Sequence, residues 1–156
     1  MGTTELLDHD LAPAGDLPRL PPLSSDIGRN PPIAVTAEQH RQYARDGYTL
    51  FPSLIAPEIV AELRRIVDTM IARDVGDFSF EPSDPSLVQR ITGPHRHSRA
   101  FAKLTRNEAL CGVVAQIIGP SFRHNNVKLN FKPPRVGSAV EWHQVRLAVA
   151  IIRTCL

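Results

Sequence analysis

From its N-terminus the chain shows no hydrophobic period of 2 or 3.6 through residues 1–34, where six of its fourteen prolines fall (Pro13, Pro18, Pro21, Pro22, Pro31, Pro32). Each proline fixes φ and removes a backbone donor, so this stretch is expected to be a disordered extension. Helical patterning begins sharply at Thr36. Thr36-Ala37-Glu38-Gln39 has the form of a capping box, Val35 stands in the staple position, and Gly47 supplies the left-handed residue that ends the helix. Tyr48 to Phe51 reads as a short strand closed by Pro52. A second helix opens at Pro57-Glu58; Ile59, Leu63, Ile66 and Met70, widened by Val60, Val67 and Ile71, mark its core stripe. Gly76, Pro82, Pro85, Gly93 and Pro94 break residues 76–97 into loops, leaving one strand candidate from Leu87 to Ile91. Asn107 is placed to cap a third helix, Glu108 to Ile118, closed by Gly119-Pro120. From Phe122 to Phe131 the pattern turns to alternation. Val127, Leu129 and Phe131 take one side and Lys128, Asn130 and Lys132 the other, as in a strand with one buried face.

Composition changes this picture little. A length of 156 residues suits one domain, and 42% hydrophobic with 22% charged residues excludes wholesale disorder. The longest apolar run, Leu147 to Ile152, is far short of the roughly 20 residues that span a bilayer, so no membrane association is expected. There is no basic-then-apolar leader at Met1, and two cysteines, Cys111 and Cys155, make neither a disulfide framework nor a cysteine zinc site. A cytoplasmic location follows as the expectation. The net charge of +2 divides into −3 over residues 1–34 and +5 over the rest, without a lysine-rich block. Nothing in it calls for nucleic acid, while a small molecule bearing a carboxylate or phosphate suits it well.

The chemistry is concentrated in Lys128-Leu129-Asn130-Phe131-Lys132-Pro133-Pro134 and, after a loop through Gly137, Glu141-Trp142-His143-Gln144. Physically this is a strand, a turn and a second strand presenting His143 and Gln144. Residues i and i+2 of a strand share a side, so a metal site built there asks for His143 and a carboxylate at position 145. A 2-His-1-carboxylate triad holds Fe(II) and leaves three positions open. Plainer readings stand beside these. Lys128 and Lys132 suit the wet face of a strand, Glu141 and His143 share one strand face, and Trp142 suits packing. His95 and His97, after Gly93-Pro94, are expected in a solvent-exposed loop. Met70 belongs to the core, and Cys111 has no neighbouring base to activate it.

These segments, together with Asp46-Gly47-Tyr48, the piece up to Pro52, the Pro57-Glu58 helix and Ala115 to Pro120, resemble in order the N-terminal part of the phytanoyl-CoA dioxygenase family over roughly residues 36–144. The resemblance implies an α+β chain: N-terminal helices plus the first strands of a double-stranded β-helix (jelly-roll or cupin-like), incomplete here. It divides the sequence into a Pro-rich extension (1–34), the family-like part (35–144) and an aberrant or frame-shifted tail (145–156). It implies a non-haem Fe(II) and 2-oxoglutarate-dependent dioxygenase hydroxylating a small-molecule or acyl substrate. His143 matches the first iron ligand and Gln144 the residue after it, near the 2-oxoglutarate. Asn130 and Lys132 border the pocket, and Arg90 is a candidate to approach the co-substrate. The pattern then breaks: Val145 stands where aspartate is expected, and residues 145–156 hold neither histidine nor carboxylate. With one of three ligands the chain as written is expected not to hold iron and to be inactive. The alternatives are a non-catalytic remnant binding a partner or anion, and an interaction module recruiting a partner through its proline-rich N-terminus.

Overall fold

The computed structural model describes residues 10–12, 20, 27, 29, 31–124 and 126–139. Helix α1 (Ala37–Asp46) begins at Thr36 with the expected box: the Thr36 hydroxyl accepts from the Gln39 N–H at 3.2 Å, and Gln39 Oε1 accepts from the Thr36 N–H at 3.0 Å. Gly47, at φ 78°, donates its N–H to the Tyr43 carbonyl at 2.9 Å and closes the helix. Residues 48–51 form no strand with any described residue, a correction to the expected one. Among the described residues no neighbouring strand offers a ladder, and helix side chains take the polar groups instead: Gln39 Nε2 donates to the Leu50 carbonyl and the Thr49 hydroxyl to Gln42 Oε1, both at 2.9 Å.

Helix α2 (Pro57–Ala72) starts with proline at its first turn, as expected. Its apolar stripe is buried unevenly: Ile66 and Met70 have no exposed surface, while Ile59, Val60 and Ile71 are each more than a third exposed. Strands β1 (Asp77–Glu81) and β2 (Asp84–Thr92) then form an antiparallel hairpin. This corrects the loops expected over most of the region, where Pro82 and Pro85 look like strand breakers. Pro82 falls in the two-residue connection and Pro85 near the tip, where lost ladder bonds matter least. A single turn of 3-10 helix (Pro94–Arg96) and the six-residue helix α3 (Arg99–Leu104), capped by Ser98, complete a segment the patterning did not resolve.

Helix α4 (Glu108–Ile118) has the expected Asn107 cap, with the side chain accepting from the Leu110 N–H at 3.0 Å, and ends at Gly119 (φ 95°). Strand β3 (Lys128–Asn130) is shorter than the alternation from Phe122 suggested; Val127, Leu129 and Phe131 are half-buried and Lys128, Asn130 and Lys132 exposed, as expected.

The described strands make one sheet in the order β1-β2-β3, all antiparallel, giving a mixed α+β fold. The register aligns Phe78, Ile91 and Leu129 in one row, and Ile91 packs with Ile66, Met70 and Phe101 in the main core. The flanking rows, Asp77-Thr92-Lys128 and Ser79-Arg90-Asn130, therefore belong to the opposite, polar face. Register shifts after Ser79 and after Phe80 change the alternation, leaving Phe80 48% exposed and Glu81 only 1% exposed.

Described residues of the Pro-rich segment touch this fold. Leu11 bridges to Ser98 and packs on the main core, and Ile27 is buried with Cys111 and Ala115. Pro31 lies against α4 at Gly112, where a Cβ would meet the Pro31 Cβ at 3.1 Å. Gln116 fixes the following residues, donating to the Ile33 carbonyl at 2.8 Å and accepting from the Val35 N–H at 2.9 Å. Among the described residues no helix is long and apolar enough to cross a membrane.

Candidate co-substrate site

Position 90 in β2 and position 130 in β3 are forty residues apart in sequence and directly opposite in the sheet. Arg90 Nε donates to Asn130 Oδ1 at 3.1 Å. That bond occupies one of the five guanidinium donors; among the described residues the two terminal nitrogens of Arg90 have no partner. With its oxygen engaged, Asn130 has its two amide N–H donors left over. The result is a row of N–H donors on the polar face, backed by a strand whose other side is core. A planar guanidinium fork is well shaped for a carboxylate.

Lys132 is exposed and continues the side of the strand that carries Asn130. The ladder reaches that far, since the Phe131 N–H donates to the Gln89 carbonyl at 2.8 Å. The chain then turns through Pro133 to Gly137, closed by the Gly137 N–H on the Pro133 carbonyl at 3.0 Å and with Arg135 at φ 71°. A Cβ at Gly137 would meet Lys132 Cγ at 2.7 Å, so the lysine stem lies against this turn. Of the residues expected to make the site, the structure thus joins Arg90 and Asn130 and puts Lys132 on the same strand face. His143 and Gln144 lie outside the described residues, as do Val145 and the tail.

Two residues missed in the sequence reading adjoin this region. Glu81 is buried, and its Oε2 accepts from both the Ser138 hydroxyl at 2.5 Å and the Ser138 N–H at 3.2 Å. The signal was weak, because the bulge that buries Glu81 breaks the alternation that would have flagged it.

The histidines need a correction. His95 and His97 are not in a solvent-exposed loop: the 3-10 turn carries them inward, and His97 is only 8% exposed. His97 Nε2 lies 3.9 Å from Asp77 Oδ2, too far for a hydrogen bond, and Asp77 is paired with Arg96. His95 stands edge-on to His124, with ring centroids 5.0 Å apart. Burial and the positive charges of His124, Arg96 and His97 hold the His95 pKa below its ordinary value of 6.5. Among the described residues no three His, Cys, Asp or Glu side chains converge as a metal site. Cys111 is inert as expected: burial pushes its thiol pKa up, disfavouring the thiolate.

Comparison with known proteins bears on residues 43–146, which match the phytanoyl-CoA dioxygenase (PhyH) family. The chain is 33% identical over 117 residues to a probable alpha-ketoglutarate-dependent hypophosphite dioxygenase of Stutzerimonas stutzeri, covering 69% of this chain and 41% of the relative. It is 30% identical over 123 residues to an ectoine dioxygenase of Stutzerimonas stutzeri strain A1501, covering 76% and 39% respectively. It is 28% identical over 103 residues to an L-proline trans-4-hydroxylase of Streptomyces griseoviridis, covering 66% and 38%. The chain spans about two fifths of the length of these curated relatives. No solved structure gives a significant match.

Proposed function

Because this chain belongs to the phytanoyl-CoA dioxygenase family, we propose that the polar face of its sheet is the part of a 2-oxoglutarate-dependent oxygenase site that receives the co-substrate. The three strands are then the first of a double-stranded β-helix. The observation that carries this reading is the Arg90–Asn130 pair on paired strands, with guanidinium and amide donors that have no partner among the described residues. A dicarboxylate needs such an arrangement: a fork for one carboxylate and positive charge for the other. Arg90 grips, Asn130 holds the fork in place and adds a donor, and Lys132 supplies the second charge. His143 and Gln144 complete the family pattern as the iron ligand and its neighbour near 2-oxoglutarate. Relatives that act on hypophosphite, ectoine and L-proline make a small polar molecule the favoured substrate class for the whole protein.

Fe(II) is a different matter. When bound, iron would supply the oxygen chemistry through a triad of two imidazoles and a carboxylate. The donor set here does not fit it, since Val145 has no lone pair at the position where the resemblance expects aspartate. The chain as written is therefore expected to bind 2-oxoglutarate without consuming it.

Titrating 2-oxoglutarate into the purified chain by calorimetry tests this. Arg90→Ala should weaken binding about tenfold or more, the loss expected for a charge-assisted pair, and Arg90→Lys should restore it only in part because the planar fork is gone. Equal affinity for wild type and Arg90→Ala would overturn the assignment. Succinate formation in the presence of Fe(II) would overturn the expected inactivity.

A further inference from the structure

A nearly fully buried carboxylate is costly to keep unless it is hydrogen-bonded for a reason. Glu81 closes β1, and the hydrogen bonds made by its side chain among the described residues come from one residue, Ser138, 57 positions later. Next to it Ser83, in the hairpin connection, donates its hydroxyl to the Val136 carbonyl at 3.3 Å. The tip of the β1–β2 hairpin is thereby tied twice to the far end of the 133–137 turn. Gly137, between those two tied residues, lies against the stem of Lys132: a Cβ added there would meet Lys132 Cγ at 2.7 Å. Lys132 has four rotatable bonds and would otherwise sweep a wide arc, losing most of its value as a fixed charge.

We propose that Glu81 is a positioning residue: by holding Ser138 it locks the 133–137 turn against Lys132 and so presents that ammonium to an anionic ligand on the Arg90–Asn130 face. This rests on the co-substrate reading above and goes beyond it by assigning a role to a residue that touches no ligand. It also makes a counter-intuitive demand. Simple electrostatics says that removing a negative charge near an anion site leaves anion affinity unchanged or raises it. A positioning role says that removing Glu81 lowers it.

The test is calorimetric titration of 2-oxoglutarate into the full 156-residue chain and its variants, with amide hydrogen exchange measured on the same samples. Glu81→Ala should lower affinity about fivefold and speed exchange of the Ser138 amide at least tenfold, the order expected when a supporting contact to a binding group is lost. Glu81→Gln, which removes the charge and keeps an oxygen to accept from Ser138, should bind nearly as well as wild type. Should Glu81→Ala fail to fold, Ser138→Ala carries the same expectation, and Ser138→Thr, which retains the hydroxyl, should rescue it. Lower affinity in the alanine variants with rescue by glutamine and threonine supports the inference. Binding by Glu81→Ala or Ser138→Ala equal to or tighter than wild type overturns it and leaves the Arg90 assignment standing. Absence of any binding by wild type overturns both.

Discussion

Ile91 has no exposed surface and sits in register between Phe78 and Leu129, over Ile66, Met70 and Phe101. Ile91→Ala removes buried methylenes and leaves a cavity, so it should cost about 3 kcal/mol. Ile59, in the same apolar stripe by sequence but 37% exposed, should cost less than about 1 kcal/mol on the same change. Urea unfolding of the two variants distinguishes an evenly buried stripe from the uneven one described. His95 gives a second expectation at this scale. Its pKa is depressed in the fold by burial and by neighbouring positive charge, so the folded state binds fewer protons than the unfolded chain just below 6.5. Its contribution to stability is fully present above 6.5 and is lost as the pH falls through the lower, folded value. Melting curves at about pH 7.5 and about pH 5.5 should show a drop in midpoint on acidification that His95→Asn reduces.

At the level of elements, legibility followed the range of the interactions. Thr36 and Asn107 cap their helices through contacts three residues away, and such signals are complete within a short window of sequence. The β1–β2 hairpin depends on pairings from Asp77 to Thr92, with a register shift after Ser79 that spoils the alternation, and its prolines sit where strands tolerate them. Tyr48 to Phe51 is the reverse case: it has strand-forming residues and, among the described residues, no strand beside it. Arg90 and Asn130 were each candidates for the site through the family resemblance, but their hydrogen bond was not legible, because nothing local to either reports the other. The segment before α1 offers a test of how elements hold one another. Gln116→Ala removes the bonds to Ile33 and Val35, and hydrogen exchange at the Val35 amide should then speed up about tenfold while that of Ile91 stays unchanged.

Across the whole molecule, the sheet separates two environments. One side is filled by α2 and α3 and continues into a largely apolar cleft of about 460 Å³ bordered by Leu63, Asp68, Phe101, Leu129, Phe131 and the edge of Asn130. The other side carries the guanidinium, amide and ammonium groups argued to hold a dicarboxylate. A scaffold of this kind lets binding residues change without disturbing the core, since successive strand residues belong to different faces. Arg90→Ala should accordingly leave the urea midpoint near that of wild type even as it weakens binding about tenfold or more.

The seat of Pro31 on α4 bears on how such a chain could be stabilised by design. Alanine is the better helix former by about 1 kcal/mol, so a propensity scale would recommend it at position 112. Yet the added methyl would arrive 3.1 Å from the Pro31 ring, where the helix now presents bare backbone. Improving the helix and keeping the preceding segment docked are opposed aims at this residue, and a substitution chosen from the helix alone would act as a wedge between them.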